Sequence, residues 1–480
     1  NVSTTGTQTY TGAVTLTTAS PTLTATSNTI GFGSTVDSSG GTRSLTFGSG
    51  TGTVTFTGAV GSISPLGTIT NIIGQQLTFS SGVAATTIAN YGTLLFQSST
   101  AQTVSANITD NGTTIVQVID STDGAPEVIT FSGNVAADII TIGTTSKAGS
   151  ALFNGTVSGT NINIVGGDSS EASLGNFAST VTVTAITLDD NTATASATFS
   201  GTTATITGTI NGLATTEGTI TVSGTNKTFA SIIGGTNSVS LITNSAATTT
   251  FNNAVRATTI DQTGTTATIL FNRTGTVTTD DITIAANITD NATTATIQVI
   301  NSNASLNAAP PVVTFSGTVA ADIITIGSTT NAGAAKFTGS SGVTVTTINI
   351  TGADNASEVS TATFERALSG TTVTLDDNTA IAKIIFSGNN TVNITPIIRG
   401  AGAGEGTLHV TGTGKTFKNG QGSYNALSEI TVDYATAFDN TTVEIKATTI
   451  NVNANTTFSH GVTATTINNA ATILFNRTGG

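Results

Sequence analysis

Three kinds of residue in this chain have the type and spacing to do chemistry: paired acids, two lysines in glycine- and threonine-rich turns, and two histidines. The acids come as Asp189-Asp190-Asn191, Asp376-Asp377-Asn378 and Asp280-Asp281, while Asp168 and Asp354 are each followed by a glutamate, Glu171 and Glu358. Several hard oxygen donors beside a turn suit calcium, which prefers carboxylates and carbonyls in flexible loops. Asp189, Asp190, Asp376 and Asp377 are therefore the candidate metal ligands, and calcium is the ion they would take. Neither the EF-hand pattern nor the glycine-rich nonapeptide of calcium-binding β-rolls is present, so ordinary solvated turns are the competing reading.

The lysines invite a nucleotide reading that does not hold. Gly412-Thr413-Gly414-Lys415-Thr416 ends like a phosphate-binding loop, but His409 stands where its first glycine belongs. The sister run Gly224-Thr225-Asn226-Lys227-Thr228 lacks the second glycine as well. No helix is predicted after either run to supply aligned amides. Both lysines read as residues of solvated turns. His409 and His460 lie 51 residues apart with no nucleophile or orienting group in their patterns, and read as surface histidines. A glycosidase would need two carboxylates across a groove, but no Trp and only four Tyr leave little for a sugar-stacking cleft. The chain is expected to be no enzyme, with no catalytic residue.

Composition narrows the partners. Of 480 residues only 13 are Lys or Arg and 26 are Asp or Glu, giving a net charge of −13 and no basic footprint for nucleic acid or anionic lipid. The 37% apolar content argues against disorder. Cys is absent, which removes disulfides, thiol chemistry and iron-sulfur sites. No apolar run is long enough for a helical membrane span, and no basic segment leads into an apolar one as in a signal peptide.

The elements that must position these residues are strands. Val14-Thr15-Leu16, Val54-Thr55-Phe56, Ile162-Asn163-Ile164, Val343-Thr344-Val345 and Ile348-Asn349-Ile350 alternate apolar and polar residues, the period of a half-buried strand. Thr suits the outer positions, since its branched Cβ fits a pleated surface. Gly, Asn, Asp and Ser clusters such as Ser38-Ser39-Gly40-Gly41 and Gly166-Gly167-Asp168-Ser169-Ser170 punctuate the runs as turns.

Repetition organises the strands. Ala106-Asn107-Ile108-Thr109-Asp110-Asn111 returns 180 residues later from Ala286, the Phe131 run returns after 184 at Phe315, and Lys227-Thr228-Phe229 returns after 188 at Lys415. A shorter Phe…Ala-Thr-Thr-Ile…Phe segment occurs three times, its outer Phe residues at 79 and 96, 251 and 271, and 458 and 475. The interval from Lys415 to Phe458 exceeds that from Lys227 to Phe251 by 19 residues, about one such segment. A solenoid grows this way, by whole coils. The expected organisation is a partial β region at 1–78, long units at 79–250 and 251–457, the second with one extra coil, and the start of a third at 458–480. Because that third unit halts at Asn476-Arg477-Thr478-Gly479-Gly480, like Asn272-Arg273-Thr274-Gly275, the chain reads as a piece of something longer or as one that continues head-to-tail into another molecule.

The fold expected is all-β, a parallel β-solenoid of coils about 17–20 residues long whose Phe, Ile, Leu and Val stack in interior columns. Tandem β-sandwich domains are the alternative, but they accept the insertion of one short coil poorly.

With these repeats and the Thr, Ala, Gly and Asn bias, the chain resembles the extracellular repeat region of large bacterial surface proteins. Autotransporter passengers of the rickettsial surface-antigen type share its Phe-x-Gly-x-Val turns at Phe131 and Phe315 and its Ala464-Thr465-Thr466-Ile467-Asn468-Asn469 run, and surface-layer proteins are similar in composition. The resemblance implies an extracellular location at the bacterial cell surface, and a structural or adhesive rod or stalk that meets a host or neighbouring-cell surface or its own copies. A self-assembling surface-layer or filament subunit stabilised by calcium is the second function it implies.

Overall fold

The structure is a computed structural model and describes residues 1–17, 20–122, 124–168, 171–273, 280–302, 310–440 and 443–476. Ser169 and Ser170 of the first acidic loop, Thr274 and Gly275, and the closing residues 477–480 lie outside the described residues. The chain divides into two compact units, Asn1–Ile242 and Thr243–Gly480. Both are parallel β-solenoids with no α-helix among the described residues. Among those residues no helix is long and apolar enough to cross a membrane.

The first unit opens with three short strands per turn. Val2–Thr4, Gln8–Tyr10 and Val14–Leu16 pair in parallel with Thr22–Ala25, Ile30–Phe32 and Val36–Ser38. Further along, a turn is one long bent strand and one shorter strand. Val135–Ile142 pairs with Val157–Val165 of the next turn, and Ser150–Phe153 with Ser173–Phe177. The long strands bend where the ladder skips a residue, between Ala137↔Gly159 and Ile139↔Asn161. Glycine is required at that corner, because a Cβ on Gly159 would sit 1.9 Å from the Ala137 carbonyl oxygen.

Alternation does the rest. In Val181–Asp189 and Val343–Thr351 the Val, Ile and Leu side chains are buried and Thr182, Thr184, Thr344 and Thr346 are exposed. The parallel ladders exclude the sandwich alternative, which is built from antiparallel hairpins. The described antiparallel contacts are isolated bridges, such as Thr26↔Thr51 and Thr144↔Lys147.

The turns are longer than the 17–20 residues expected. Phe79 pairs with Phe96 and Phe458 with Phe475, 17 residues on, but Phe153 pairs with Phe177 after 24 and Ile284 with Phe315 after 31. The Ala-Thr-Thr-Ile segments that set the expectation are among the shortest turns; elsewhere loops outside the strands add residues without altering the ladder. Two turns lie between Phe417 and Phe458, with Phe438 stacked between them.

An aromatic spine runs through each unit in groups. Phe131, Phe153, Phe177 and Phe199 stack face to face at centroid distances of 4.9–5.6 Å, and so do Phe315, Phe337, Phe364 and Phe386 at 4.8–5.7 Å. Between groups the geometry turns edge-on: Phe96 to Phe131 at 89° and Phe271 to Phe315 at 83°. The reason is register. Phe96 has Val118 as its ladder partner and Phe131 has Val104, so the spine steps sideways to the next interior column and Val fills the place it leaves.

Candidate functional site

The acidic turns are the first candidate, and their geometry is duplicated. Asp190 Oδ1 accepts from the Ala195 amide at 2.6 Å and Oδ2 from the Gly218 amide of the following turn at 2.8 Å. In the second unit Asp377 Oδ1 accepts from the Ala382 amide at 2.7 Å and Oδ2 from the Gly406 amide at 2.8 Å. Gly218 and Gly406 both hold positive φ, 81° and 80°, and a Cβ on either would meet Leu188 or Leu375 at 2.3 Å. Only glycine delivers its amide there. The neighbouring asparagines reach the other way: Asn191 Nδ2 donates to the Thr145 carbonyl and Asn378 Nδ2 to the Thr329 carbonyl, both at 3.0 Å and two turns back. One Asp-Asn pair thus fastens a loop to turns on both sides.

Both oxygens of Asp190 and of Asp377 accept a backbone amide hydrogen bond. Asp189 lies beside them at the end of its strand, and burial, then Glu217 and Asp190, raise its carboxyl above the usual range. Asp376 ends the corresponding strand. Glu217 is itself engaged, accepting from the Ala214 amide at 2.8 Å, as Glu405 accepts from Gly402 at 2.7 Å. Among the described residues no three His, Asp or Glu side chains converge as a metal-ligand set.

The lysines differ from expectation. Lys227 and Lys415 are not on solvated turns; both are fully buried. Lys227 Nζ donates to the carbonyls of Gly201 at 3.1 Å, Thr225 at 2.9 Å and Thr202. Lys415 Nζ donates to the Gly388 and Asn390 carbonyls at 3.0 and 3.2 Å. Each ammonium therefore ties its strand to carbonyls of the preceding turn, and burial pushes both lysines below the ordinary range. The signal was available: Lys stands two residues before Phe in Lys-Thr-Phe, hence on the same inward face. The strand beginning at Lys415 also removes the phosphate-loop reading, since no helix follows.

His409 is not solitary. Its Nε2 lies 2.7 Å from Asp433 Oδ2, and Asp433 Oδ1 accepts from Asn453 Nδ2 at 2.9 Å. The Asn453 hydrogen bond, then His409, hold the Asp433 carboxyl below its usual range. His460 borders a small cavity with Phe458, Gly461 and Phe475.

The concave places are shallow. A cavity of about 510 Å³ in the first unit is lined by Asn71, Ile72, Ile73 and Tyr91. A groove of about 340 Å³ in the second carries Asp290 and Asp322, but Asp290 accepts from the Ala292 amide at 3.2 Å and Asp322 from the Ala295 amide at 3.0 Å. Burial, then Asp322, raise the Asp290 carboxyl. Asp190, Asp377, Lys227, Lys415, Asp322 and His409 attach one turn to the next, whereas Asp290, Glu217 and Glu405 accept within their own loops. No protein-family model, curated protein or solved structure matches this chain.

Proposed function

We propose that this chain is a non-enzymatic structural protein of the bacterial cell surface, a repetitive extracellular stalk that meets a host or neighbouring cell. The observation carrying this reading is the use made of the polar groups best suited to chemistry. Asp190, Asp377, Lys227 and Lys415 all hold backbone groups of their own or adjoining turns. Such a scaffold resists local opening, because each loop is anchored to its neighbours as well as to its own strands. The low content of charged side chains, 8%, and the many outward Thr residues suit a long-lived surface exposed to solvent.

The test is location and form together. Antibodies against the chain should label intact, unpermeabilised source cells, and electron microscopy of the native material should show separate projections. Labelling only after permeabilisation would overturn the reading. Ordered sheets or filaments would shift it to a self-assembling lattice subunit.

A further inference from the structure

The two units share one corner and differ in what stands on it. In the first, Asn237 Nδ2 donates to the Gly212 and Leu213 carbonyls at 3.3 and 2.5 Å, and Asn211 Oδ1 accepts from the Thr236 amide at 3.0 Å. In the second, Asn425 Nδ2 makes the same pair of bonds, to the Gly400 and Ala401 carbonyls at 3.2 and 2.7 Å. Arg399 and Tyr424, however, replace Asn211 and Thr236. Arginine has no acceptor to offer the amide. Its Cζ instead lies 5.7 Å from the Tyr424 ring centroid, and Tyr424 is 71% exposed. Arg43, Arg273 and Arg366 all donate to backbone or side-chain carbonyl oxygens of the chain. Arg399 has no hydrogen bond or ion pair among the described residues, and its Nε and the nearby Ser423 Oγ are buried without a partner there.

We infer that Arg399 and Tyr424 form a binding site for a carboxylate-bearing sugar of an acidic polysaccharide. A planar guanidinium takes a carboxylate through two parallel hydrogen bonds, and one partly stripped of water gains more from doing so. This guanidinium has no counter-ion within the described residues, although the chain carries 26 acids against 13 basic residues. The exposed ring offers a flat apolar surface to the C–H face of a sugar. Partners for sugar hydroxyls stand beside it. Arg399 is in ladder register with Thr374, and Thr374 with Asn349, so the three face outward in one column at a spacing of about 4.8 Å. Neither Thr374 nor Asn349 uses its side chain in a hydrogen bond among the described residues. An acidic peptide added as a strand is disfavoured, because this strand has no free edge. Ile397–Gly400 pairs with Leu368–Asp376, and on its other side Ile398 donates to Gln421 Oε1 and accepts from the Gly422 amide. As the partner chemistry of the proposed stalk, the inference rests on the cell-surface reading.

The test titrates the full chain by calorimetry with a short oligogalacturonate and, separately, with its methyl ester. The acid form should bind saturably at one site per chain, and the ester about tenfold or more weakly. Arg399→Asn with Tyr424→Thr copies the corner of the first unit, so this variant should keep its far-ultraviolet spectrum and lose affinity by a similar factor. Arg399→Lys should recover little, since an ammonium lacks the fork. The reverse change, Asn211→Arg with Thr236→Tyr, should raise the stoichiometry from one to two. The inference is overturned by no saturable heat at millimolar oligosaccharide, by equal binding of acid and ester, or by an unaltered titration of the Asn-Thr variant. Equal binding of a sulfated oligosaccharide of the same length would also overturn it, because charge alone would then be recognised. If the Asn-Thr variant fails to fold, the comparison of acid with ester on the wild-type chain still decides. Saturable binding by a chain that antibodies reach only in permeabilised cells would keep the site and sink the cell-surface reading, so the two fail separately.

Discussion

The stretch Leu188–Phe229 of the first unit and the stretch Leu375–Phe417 of the second place the same groups in the same positions, while the faces around them differ. Asp190 and Asp377, Gly218 and Gly406, and Lys227 and Lys415 make matching bonds. On neighbouring strand faces and turns, however, Leu152, Ala178, Ser179, Ser196 and Thr221 are replaced by Lys336, Glu365, Arg366, Lys383 and His409. Lys336 pairs with Glu365 at 2.8 Å and Arg366 donates to Asn390 at 2.8 Å, contacts that have no counterpart at Leu152 or Ser179. The difference separates two kinds of polar residue. Those that close backbone groups recur because each loop leaves the same amides and carbonyls to satisfy. Those that face outward can change, because water satisfies whatever stands there.

The lysines test this distinction most severely. Lys227→Met or Lys415→Met removes a buried donor from the turn carbonyls it holds and should destabilise the affected unit by about 2–4 kcal/mol in chemical denaturation. Lys415→Met should cost less, since Lys415 serves two carbonyls rather than three and lies near the Arg366 charge. The pH dependence has a definite sign. Burial lowers the lysine pKa in the folded state, so between that value and the ordinary lysine value the unfolded chain binds more protons. Wild-type stability should therefore rise with pH through this alkaline window, and the Met variants should lack that rise. Two variants as stable as wild type would mean that these carbonyls reach water, and the comparison would lose its basis.

The acidic turns come next. Asp190→Ala and Asp377→Ala should each cost about 1–2 kcal/mol, as loss of a capping carboxylate does elsewhere. Asp→Asn should cost less, because one acceptor oxygen remains. A chelator should leave the melting temperature unchanged, since no three His, Asp or Glu side chains converge around these turns among the described residues. A drop on chelation that Asp190→Ala abolishes would instead return Asp190 to the role of a metal ligand.

How far these features can be read from sequence depends on the range of the interaction. Strand alternation and the repeats of Phe and Ile are local or periodic, so the parallel solenoid was legible before any coordinates. Turn length was misjudged because the most visible repeat, Phe79 to Phe96, is a short turn. The Asp-Asp-Asn runs were legible as turns but not as fasteners. One of the two amide partners of Asp190 and of Asp377 lies 28 or 29 residues on, and only the stacking of turns brings Gly218 to Asp190. A duplicated Glu-Gly-Thr, at residues 217–219 and 405–407, was the available clue. Lys227 and Lys415 were misread because turn chemistry around them outweighed their parity with Phe229 and Phe417.

The smallest expected effect lies on the face that differs. Asp433 with His409 and Asn453 forms a contact peculiar to the second unit, because Thr221 occupies the place of His409 in the first. The Asn453 bond, followed by the His409 contact, lowers the folded-state pKa of Asp433. Between that lowered value and the ordinary aspartate value the unfolded state binds more protons. The contribution is thus complete above the ordinary aspartate range and lost as pH falls through the folded value. Its size is limited, because about a third of each side chain or less is exposed but water still screens the pair, and contacts of this kind are worth about 0–1 kcal/mol. Asp433→Asn should therefore lower stability slightly at neutral pH, and its denaturation midpoint should converge on that of wild type in strong acid. Parallel acid profiles for wild type and Asp433→Asn would show that Asp433 has the same surroundings folded and unfolded, and the outward face would then carry no measurable share of the stability.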